Sequence, residues 1–379
     1  MTATLAAILF CAALTLTNLA SVVIAFFRAR PPKAPVPAPA PAPGVSIVRP
    51  LCGLEAFSQE TLASTFSLDY PDYEVILCVA RANDPVVPLA RRLIAGNAHV
   101  PARLIVGDEN VSANPKLNNC VRGWDAATHG FVALVDSNVL MPKDYIQRML
   151  AALRPDAGLV CSMPLGSRPR NLWAELECAF LNTYEARWQY AACAVVGGFA
   201  QGKNMMWRKS VLEAGGGIRA LGAEIAEDAA STKLVKAQGM RVDLVEGPFE
   251  QPLGRRSLRD VWMRQARWAR MRRKTFPLFY APEIFSGAAP AVLAGAYAAH
   301  LADLGPPRVL AAALAVAACW HLPEMALARA AGWPLSWRTP FLLALRDLAL
   351  PAMYLDAWLV DDFTWRGNAM SVREEPRAS

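Results

Sequence analysis

The sequence predicts an α/β domain, a parallel sheet covered by helices on both faces, with membrane-spanning helices on either side of it. Short apolar runs alternate with helix-like stretches from Val45 to about Gly247, which is typical of strand–helix–strand units. The run 131–135 is apolar at every position, as expected for a strand buried on both faces. Residues 3–27 carry no charge, and this run exceeds the roughly 20 residues with which a helix crosses a bilayer.

The composition agrees with a chain that combines membrane segments with a water-soluble domain. Of 379 residues, 54% are hydrophobic and 19% charged, and the mean hydropathy is +0.22, too apolar for an ordinary soluble protein and too charged for one wholly in the membrane. Cysteines form no C-x-x-C pair and histidines show no metal-ligand spacing, which argues against zinc sites and disulfide frameworks and fits a reducing cytoplasm. The net charge of +7 suits nucleic acid, anionic lipid or a phosphorylated substrate.

Residues 1–29 are predicted to form a transmembrane helix. The alternative is a cleaved signal peptide, but the positive charges of Arg28, Arg30 and Lys33 follow the apolar run, and no small-x-small cleavage site comes after it. The same charges place the following chain in the cytoplasm. The Pro/Ala-rich segment 30–43 is predicted to be a stiff polyproline II spacer between membrane and domain.

The segment 44–255 contains the predicted domain. Predicted strands lie within residues 45–49, 74–80, 103–107, 131–136 and 158–161, and predicted helices within 87–96 and 142–153. In such sheets ligands bind beyond the carboxyl ends of the strands. Asp136-Ser137-Asn138 directly follows a strand, so it is either part of a binding site or only a turn, for which these residue types are also suited.

After the domain the sequence becomes basic and then apolar again. The segment 256–280 predicts an amphipathic helix, rich in arginine and tryptophan, at the membrane surface. Nucleic-acid binding is disfavoured because no recognition fold accompanies these residues.

Membrane segments are predicted within 281–363. The apolar stretches 284–302 and 309–323 predict two spans. The stretch 340–360 contains charged residues and is predicted to be re-entrant or interfacial. In the tail, 364–379, the residues Arg366, Arg373 and Arg377 favour a cytoplasmic C-terminus.

Three acidic positions and one basic-aromatic motif form a recognisable series. The order Asp84, Asp136, Asp228 and Arg264-x-x-Arg267-Trp268 resembles the D, D, D, (Q/R)xxRW signature of glycosyltransferase family 21, the ceramide glucosyltransferases. This family lies within the GT-A (Rossmann-like) superfamily of nucleotide-sugar transferases. The resemblance extends through RPLCGLE (49–55), LDYPDYEVILCV (68–79), NPKLNN (114–119), GGFAQGKNMMWRK (197–209) and TWRG (364–367).

The resemblance implies an activity and a location. The expected reaction transfers glucose from UDP-glucose to the primary hydroxyl of ceramide, with inversion at the anomeric carbon, on the cytoplasmic leaflet. The expected protein is a multi-pass enzyme of a bacterial-type inner membrane or equivalent, with a cytoplasmic catalytic domain. Two alternatives stay open: a related transferase with another sugar or another lipid, such as a hopanoid or diacylglycerol, and a membrane protein that binds nucleotide-sugar or lipid without catalysis.

The resemblance makes Asp136 the residue that positions a divalent metal and the donor diphosphate. Mg²⁺ or Mn²⁺ is the expected cofactor, because hard cations prefer carboxylate oxygens and can stabilise a diphosphate leaving group. The usual Asp-x-Asp reads Asp-Ser-Asn here. Asn138 is therefore expected either to bind the metal through its amide oxygen or to cap the turn.

Other positions are expected to bind the donor. Asp84 corresponds to the aspartate that holds the uracil or ribose, although an Asp before Pro85 is also a good helix N-cap. Lys116 and Asn118 lie where related enzymes contact the donor, and a lysine can neutralise phosphate oxygens. The alternative for Lys116 is a solvated loop lysine.

The resemblance makes Asp228 the general base, and the alternative is a carboxylate that compensates the helix dipole. Arg264 and Arg267 suit a diphosphate bidentately, and Trp268 can cover the acceptor or the sugar. A membrane-surface helix would carry the same residue types, and this alternative is strongest for Arg264. Together these roles predict that residues 84, 136, 228 and 267 line one cleft that opens toward the bilayer.

Overall fold

The structure is a computed structural model that describes residues 3–365 and 368–372. The described chain forms two compact units that alternate along the sequence. The sheet unit comprises Arg30–Ser167 and Ala192–Gly254, and the helical unit comprises residues 3–29, 168–191 and the described residues from 255 onward. The segment 168–191, predicted as part of a continuous domain, thus groups with the helical unit.

The strands have the following bounds: β1 (Val45–Leu51), β2 (Tyr73–Val79), β3 (Ala102–Val106), β4 (Phe131–Val135), β5 (Ala157–Cys161), β6 (Pro164–Pro169), β7 (Asn204–Arg208), β8 (Arg241–Leu244), β9 (Phe249–Gly254), β10 (Asp362–Trp365) and β11 (Asn368–Ser371). Seven of them form one sheet in the order β3-β2-β1-β4-β7-β5-β8, while β6 pairs with β9 and β10 with β11.

The helices have the following bounds: α1 (Ala3–Arg28), α2 (Ser58–Ala63), α3 (Val87–Gly96), α4 (Pro115–Ala126), α5 (Tyr145–Ala152), α6 (Leu172–Cys178), α7 (Arg187–Val196), α8 (Lys209–Ala214), α9 (Glu227–Ala237), α10 (Leu258–Thr275), α11 (Pro277–Tyr280), α12 (Ala288–Leu301), α13 (Pro306–Ala331) and α14 (Thr339–Leu359). A π-helix, Ala179–Ala186, joins α6 to α7, and 3-10 turns cover Ser64–Phe66, Ile218–Ala223 and Ala281–Phe285.

The predicted strands and helices of the sheet unit are present, but the sheet is mixed rather than parallel. Strands β1 to β4 pair in parallel, whereas β7 runs antiparallel to both β4 and β5. The prediction was wrong because it contained no strand at Asn204–Arg208. Val135 lies opposite Asn204 in the register, so the segment before β7 reaches the carboxyl end of β4.

Two buried side chains hold the carboxyl ends of the central strands in place. Asn119 of α4 donates from Nδ2 to the carbonyl oxygens of Leu51 and Cys78, at 3.2 and 3.1 Å. Arg49 of β1, fully buried, donates from Nη2 to the carbonyl oxygens of Asp136 and Val139, at 2.7 and 3.0 Å. The turn after β4 is therefore held rigidly at the edge of the sheet.

The Pro/Ala segment, predicted to be a stiff spacer, is also hydrogen-bonded to the domain that follows it. It belongs to the sheet unit, where the amide of Val36 donates to Asp144 Oδ2 at 3.2 Å. The Tyr70 hydroxyl donates to the carbonyl of Pro43 at 2.7 Å. These hydrogen bonds attach the segment to the domain, since extended backbone without internal hydrogen bonds can bond to neighbouring groups instead.

Among the described residues, two helices are long and apolar enough to cross a membrane, α1 and α13. A third span results if the bent pair Pro277–Phe285 and Ala288–Leu301, with 45° between its helices, is one span. Pro323 does not end α13, which continues to Ala331, so the predicted stretch 309–323 was too short. Arg366, Arg373 and Arg377 lie outside the described residues.

The charges that interrupt the stretch 340–360 are paired inside the helical unit. Arg346 and Asp347 of α14 are buried and form an ion pair with 2.7 Å between Nε and Oδ1. Glu324 of α13 lies 2.9 Å from Arg346 and 3.0 Å from Arg187 of α7. Arg187 also donates to Asn18 Oδ1 of α1 at 2.7 Å. Ionisable groups among apolar helices are stable only when paired in this way.

Candidate active site

Asp136 follows β4 directly, and two lysines hold its carboxylate. Its Oδ1 lies 2.7 Å from Lys116 Nζ, and its Oδ2 lies 2.7 Å from Lys203 Nζ. Burial opposes ionisation of Asp136, but the two ammonium groups keep the pKa of this carboxyl well below its usual range. Asp136 is therefore a fixed negative charge. It lies at the carboxyl end of a buried strand, where the apolar run 131–135 predicts it.

Lys116 lies largely enclosed between acidic residues and is not a solvated loop lysine. It lies at the start of α4, where Asn114 is the N-cap. Its ammonium contacts Asp136, Glu227 Oε1 at 2.6 Å, and the carbonyl oxygen of Gly202. Burial lowers the pKa of Lys116, but the two carboxylates override this effect and raise it above the ordinary lysine value.

Glu227 and Asp228 form the first turn of α9. Besides Lys116, Glu227 accepts a hydrogen bond from Asn114 Nδ2 at 2.6 Å. Asp228 accepts from the amide of Gly202 at 3.0 Å and from its neighbour Ala229 at 2.8 Å. Burial, and then the charge of Glu227, raise the pKa of Asp228 to about 6. A carboxylate with this pKa can take and release a proton near neutral pH.

Gly202 allows the chain to pass close to both acids. A Cβ atom at this position would lie 2.9 Å from Glu227 Oε1 and 3.2 Å from Asp228 Oδ2. Because Lys116 and Asn114 hold Glu227, the carboxylate has little room to move. The segment Gln201–Lys203 therefore closes over the acids only with a glycine at its centre.

The side chains at the end of β4 suit a cation site to which a bound substrate contributes ligands, and not a site formed by protein ligands alone. Among the residues that the structure describes, no three His, Cys, Asp or Glu side chains are placed to hold a metal ion. Asp136 Oδ2 and Asn138 Oδ1 nevertheless both face the Lys203 ammonium, at 2.7 and 3.5 Å. Mg²⁺ is commonly bound by one or two carboxylates together with substrate phosphates. These two oxygens therefore fit a cation whose other ligands come from a diphosphate.

Asp84 connects two loops at the same edge. Its carboxylate accepts from the amide of Gly53 at 3.0 and 3.1 Å, and from the amide of Val86 at 2.9 Å. Gly53 has a φ of +69°, a conformation that favours glycine. The assigned helix α3 begins after Val86, but the bond from the Val86 amide to Asp84 Oδ1 is of the N-capping type. Asp84 therefore also stabilises the start of this helix, as the alternative expects, and its expected contact with the donor stays a prediction.

Asn118 organises a neighbouring loop. Its Oδ1 accepts from the amides of Val111 and Ser112, at 3.1 and 3.0 Å, and its Nδ2 donates to the carbonyl of Ser112 at 2.9 Å. The polar atoms of Asn118 are thus hydrogen-bonded to the loop before α4. The expected contact of Asn118 with the donor stays a prediction.

The (Q/R)xxRW residues lie on α10 in the helical unit. Ser257 and Asp260 form a capping box that fixes where this helix begins. Arg264 Nη1 lies 2.5 Å from Glu177 Oε1, and its guanidinium lies 5.9 Å from the Trp268 ring.

Arg267 instead stacks over Trp365, at 5.6 Å. Arg264 and Arg267 thus have different partners despite their spacing, and Trp268 lies beside the former. Whether they share a cleft with the acidic residues stays a prediction.

Sequence reasoning assigned no role of their own to four residues of the acidic and basic cluster: Asn114, Gly202, Lys203 and Glu227. Three of them lie within the segments NPKLNN and GGFAQGKNMMWRK, and Glu227 adjoins Asp228. The signal was therefore the proximity of these residues to recognised motifs. Their mutual contacts depend on the antiparallel pairing of β7, which the sequence did not reveal.

Comparisons with known proteins agree with this geometry. The sequence profile of the family described as Glycosyl transferase family 21 matches residues 8–378. Ceramide glucosyltransferase 1 of Caenorhabditis elegans is 26% identical over 241 residues, which are 62% of this chain and 51% of that protein. Ceramide glucosyltransferase 3 of the same organism is 24% identical over 330 residues, or 86% of this chain and 72% of that protein. The match thus spans about half the length of the first of these relatives.

A solved structure has the same fold. The mannosyltransferase PcManGT from Pyrobaculum calidifontis, in complex with GDP-Man and Mn²⁺, superposes with a TM-score of 0.51 and 20% identity, over 92% of this chain and 97% of that one. This likeness agrees with the predicted GT-A fold class, although the sheet is mixed and not parallel throughout as predicted.

Proposed function

The chain belongs to glycosyltransferase family 21, and we propose on this basis that it transfers glucose from UDP-glucose to the primary hydroxyl of ceramide. The observation that carries the proposal is the cluster at the sheet edge, where Asp228, with a pKa of about 6, lies beside the network formed by Lys116, Asp136 and Glu227. The names of the two nematode relatives, both ceramide glucosyltransferases, support the acceptor.

Asp228 is proposed as the general base. As the acceptor oxygen attacks the anomeric carbon, the hydroxyl proton passes to the carboxylate. The bond to the diphosphate breaks on the opposite side, and UDP leaves with the bonding electrons, which inverts the anomeric configuration. Proton transfer to a positioned base contributes typically about 10² to 10⁴-fold to the rate. The backbone amides of Gly202 and Ala229 orient this carboxylate.

The donor diphosphate is proposed to bind at Asp136. A leaving diphosphate must have its negative charge stabilised, and Lys116 and Lys203 bring two ammonium groups to this place. Asp136 and Asn138 would hold Mg²⁺ or Mn²⁺, which would supply further positive charge to the phosphate oxygens when bound. The mannosyltransferase of the same fold is in complex with Mn²⁺ as well as GDP-Man, which supports a metal. Asp84 is proposed to contact the uracil or ribose, and Asn118 to shape the loop beside it.

Arg267 and Trp268 are proposed to act in catalysis, and Arg264 in substrate binding, on the strength of the family signature. Guanidinium groups pair well with phosphate oxygens, and an indole packs well on a sugar or lipid. The ion pair between Arg264 and Glu177 means that Arg264 also has a structural role. Replacing Arg267 by lysine, which keeps the charge but not the planar fork, tests the catalytic assignment.

The protein is proposed to span a bacterial-type inner membrane, or its equivalent, more than once, with the sheet unit in the cytoplasm. The apolar helices α1 and α13 and the positive charges after α1 support this topology. Cys52 of the sheet unit is exposed. In a variant that retains only this cysteine, a membrane-impermeant maleimide should label intact cells only after permeabilisation, and labelling without it would contradict the topology.

The experiment that tests the function is a donor-by-acceptor matrix with the detergent-purified protein. UDP-glucose, UDP-galactose and GDP-mannose are each combined with ceramide, diacylglycerol and a hopanoid, and lipid products are identified by mass spectrometry. Glucosylceramide with an equal amount of UDP is the expected result, and it should be absent with a folded Asp228→Asn variant. A different glycolipid would indicate the related transferases, and nucleotide binding without any product would indicate a binding protein.

A further inference from the structure

The ammonium group of Lys203 lies at the point toward which two oxygen ligands converge. Nζ lies 2.7 Å from Asp136 Oδ2 and 3.5 Å from Asn138 Oδ1. Carboxylate and amide oxygens are the ligands that Mg²⁺ and Mn²⁺ prefer. A cation supplied by the chain itself therefore lies where a divalent cation is expected.

The backbone places Lys203 at this position. Lys203 directly precedes β7, and its carbonyl oxygen accepts a hydrogen bond from the amide of Asp136 at 3.0 Å. This bond continues the ladder in which Val135 lies opposite Asn204. The Cα atom of Lys203 is thus held by strand pairing, whereas its long side chain can change conformation without disturbing the sheet.

Lys203, rather than Lys116, is the lysine that can leave Asp136. An ammonium group has three N–H donors, and Lys116 directs its ammonium at Asp136, Glu227 and the carbonyl of Gly202. The Lys116 side chain is 11% exposed and that of Lys203 is 18% exposed. Displacement of Lys116 would leave Glu227 and Asp136 facing each other across a buried site, which is strongly unfavourable.

We propose that Lys203 is a built-in counter-ion that occupies the divalent-cation position of the donor-free enzyme and competes with the metal for Asp136 and Asn138. The metal complex of a nucleoside diphosphate displaces the ammonium, which then pairs with the diphosphate oxygens. The proposal rests on the proposed function in one respect, namely that this edge binds a nucleoside diphosphate. It implies that the free protein binds metal weakly and that metal and nucleotide bind together.

The test is a titration of the full-length protein in detergent with Mn²⁺ and no nucleotide, in which free Mn²⁺ is measured by electron paramagnetic resonance. Lys203→Met keeps an unbranched side chain of similar length, one atom shorter, but removes the charge, and Mn²⁺ affinity should rise about tenfold or more over wild type. Lys233→Met is the matched control, because Lys233 of α9 is 46% exposed and pairs with Glu224; its affinity should equal that of wild type. Equal or weaker Mn²⁺ binding by Lys203→Met would overturn the proposal.

A second variant separates competition for the ligands from a general effect of charge. In the Lys203→Met background, Asn138→Ala changes no charge but removes one of the two oxygens. If Lys203 held their shared position, the gain in Mn²⁺ affinity should fall substantially. A gain that survives Asn138→Ala undiminished would show a long-range charge effect and refute the assignment. Should Lys203→Met fail to fold by circular dichroism, Lys203→Gln replaces it with the same expectations.

The exchange step is tested by repeating the titration with saturating UDP. The Mn²⁺ affinities of wild type and Lys203→Met should then converge, since the ammonium pairs with the diphosphate oxygens and no longer competes with the metal for Asp136 and Asn138. Equilibrium dialysis with radiolabelled UDP shows whether UDP binds. If UDP binds and the two Mn²⁺ affinities still differ, the exchange is disproved. Absence of UDP binding would instead disprove the proposed function, and the titration without nucleotide would still decide whether Lys203 competes with the metal.

Discussion

The ammonium of Lys116 and the carboxylate of Glu227 lie 2.6 Å apart, and both side chains are largely buried. Lys116→Met would leave Glu227 and Asp136 as neighbouring buried carboxylates without their shared cation. Loss of one partner of a buried ion pair costs about 3 to 5 kcal/mol. We expect a loss of this size in urea unfolding of the detergent-solubilised protein, together with loss of transfer. Lys233→Met should cost less than about 1 kcal/mol, as an exposed pair does. Equal losses for both variants would contradict the structural role of Lys116.

The rate of transfer should depend on pH through Asp228. Only the ionised carboxylate can accept the hydroxyl proton, and its pKa is raised to about 6. The rate with subsaturating substrates should therefore fall about tenfold per unit as the pH drops below about 6. Release of UDP, followed between pH 4.5 and 8, measures this. A constant rate down to pH 4.5 would show that Asp228 is not the base.

The same pKa predicts how stability changes with pH. The folded protein holds the Asp228 proton more tightly than the unfolded chain, whose ordinary aspartate pKa is 3.8. Wild type should therefore lose stability relative to Asp228→Asn as the pH rises from about 4 to about 6, with little further change above. The total change should be about 2 kcal/mol, since the carboxylate is only partly buried. Parallel unfolding curves of the two proteins from pH 4 to 8 provide the measurement, and a constant difference would refute the shift.

Gly202→Ala should impair the active site more than it impairs the fold. The new methyl group would lie 2.9 Å from Glu227 Oε1, so either the loop or the carboxylate must move. We expect a loss of about 1 to 3 kcal/mol in stability and a fall in the rate of transfer of at least about tenfold, because small displacements of catalytic groups are costly. Gly96→Ala is the control, since a Cβ there would meet nothing within 4 Å. Equal activity of the two variants would contradict the tight packing at Gly202.

Glu324→Gln should destabilise the helical unit. Glu324 pairs with the buried guanidinium groups of Arg187 and Arg346, and the amide would remove the negative charge that these two groups share. The cost should be about 3 to 5 kcal/mol, seen as a lower midpoint of thermal unfolding in detergent. Arg308→Ala, at an exposed position of the same helix, should leave the midpoint nearly unchanged. A Glu324→Gln midpoint equal to that of wild type would show that the network contributes no stability.

Much of the sheet unit could be read from local patterns. The apolar runs at 45–49, 74–80 and 131–136 became β1, β2 and β4, because strands buried on both faces require apolar residues at consecutive positions. Strand β7 escaped prediction because its segment contains glycines and lysines on either side, and because its direction depends on the neighbours with which it pairs. A buried strand has the same local pattern of apolar residues whether it pairs in parallel or antiparallel, so this pattern cannot predict its direction.

The charged residues of the helical unit could likewise be located from the sequence, but their partners could not. The sequence already showed that charged residues, Arg346 and Asp347 among them, interrupt the apolar stretch 340–360. It contained no sign that Arg346 pairs with Glu324 of another helix, because such partners are distant in the chain. Likewise, the Pro/Ala composition of the linker predicts its extended backbone but not its hydrogen bond to Asp144.

The amino-acid sequence alone determined the family, the first strands of the sheet, the apolar helices and the positions of Asp136 and Asp228, because buried strands, long apolar helices and short family motifs each leave a local trace. Only the tertiary structure decided that Lys116, Lys203 and Glu227 surround these acids. Ion pairs form between side chains that folding brings within a few ångströms, and that proximity depends on strand pairing and helix packing rather than on neighbours along the chain.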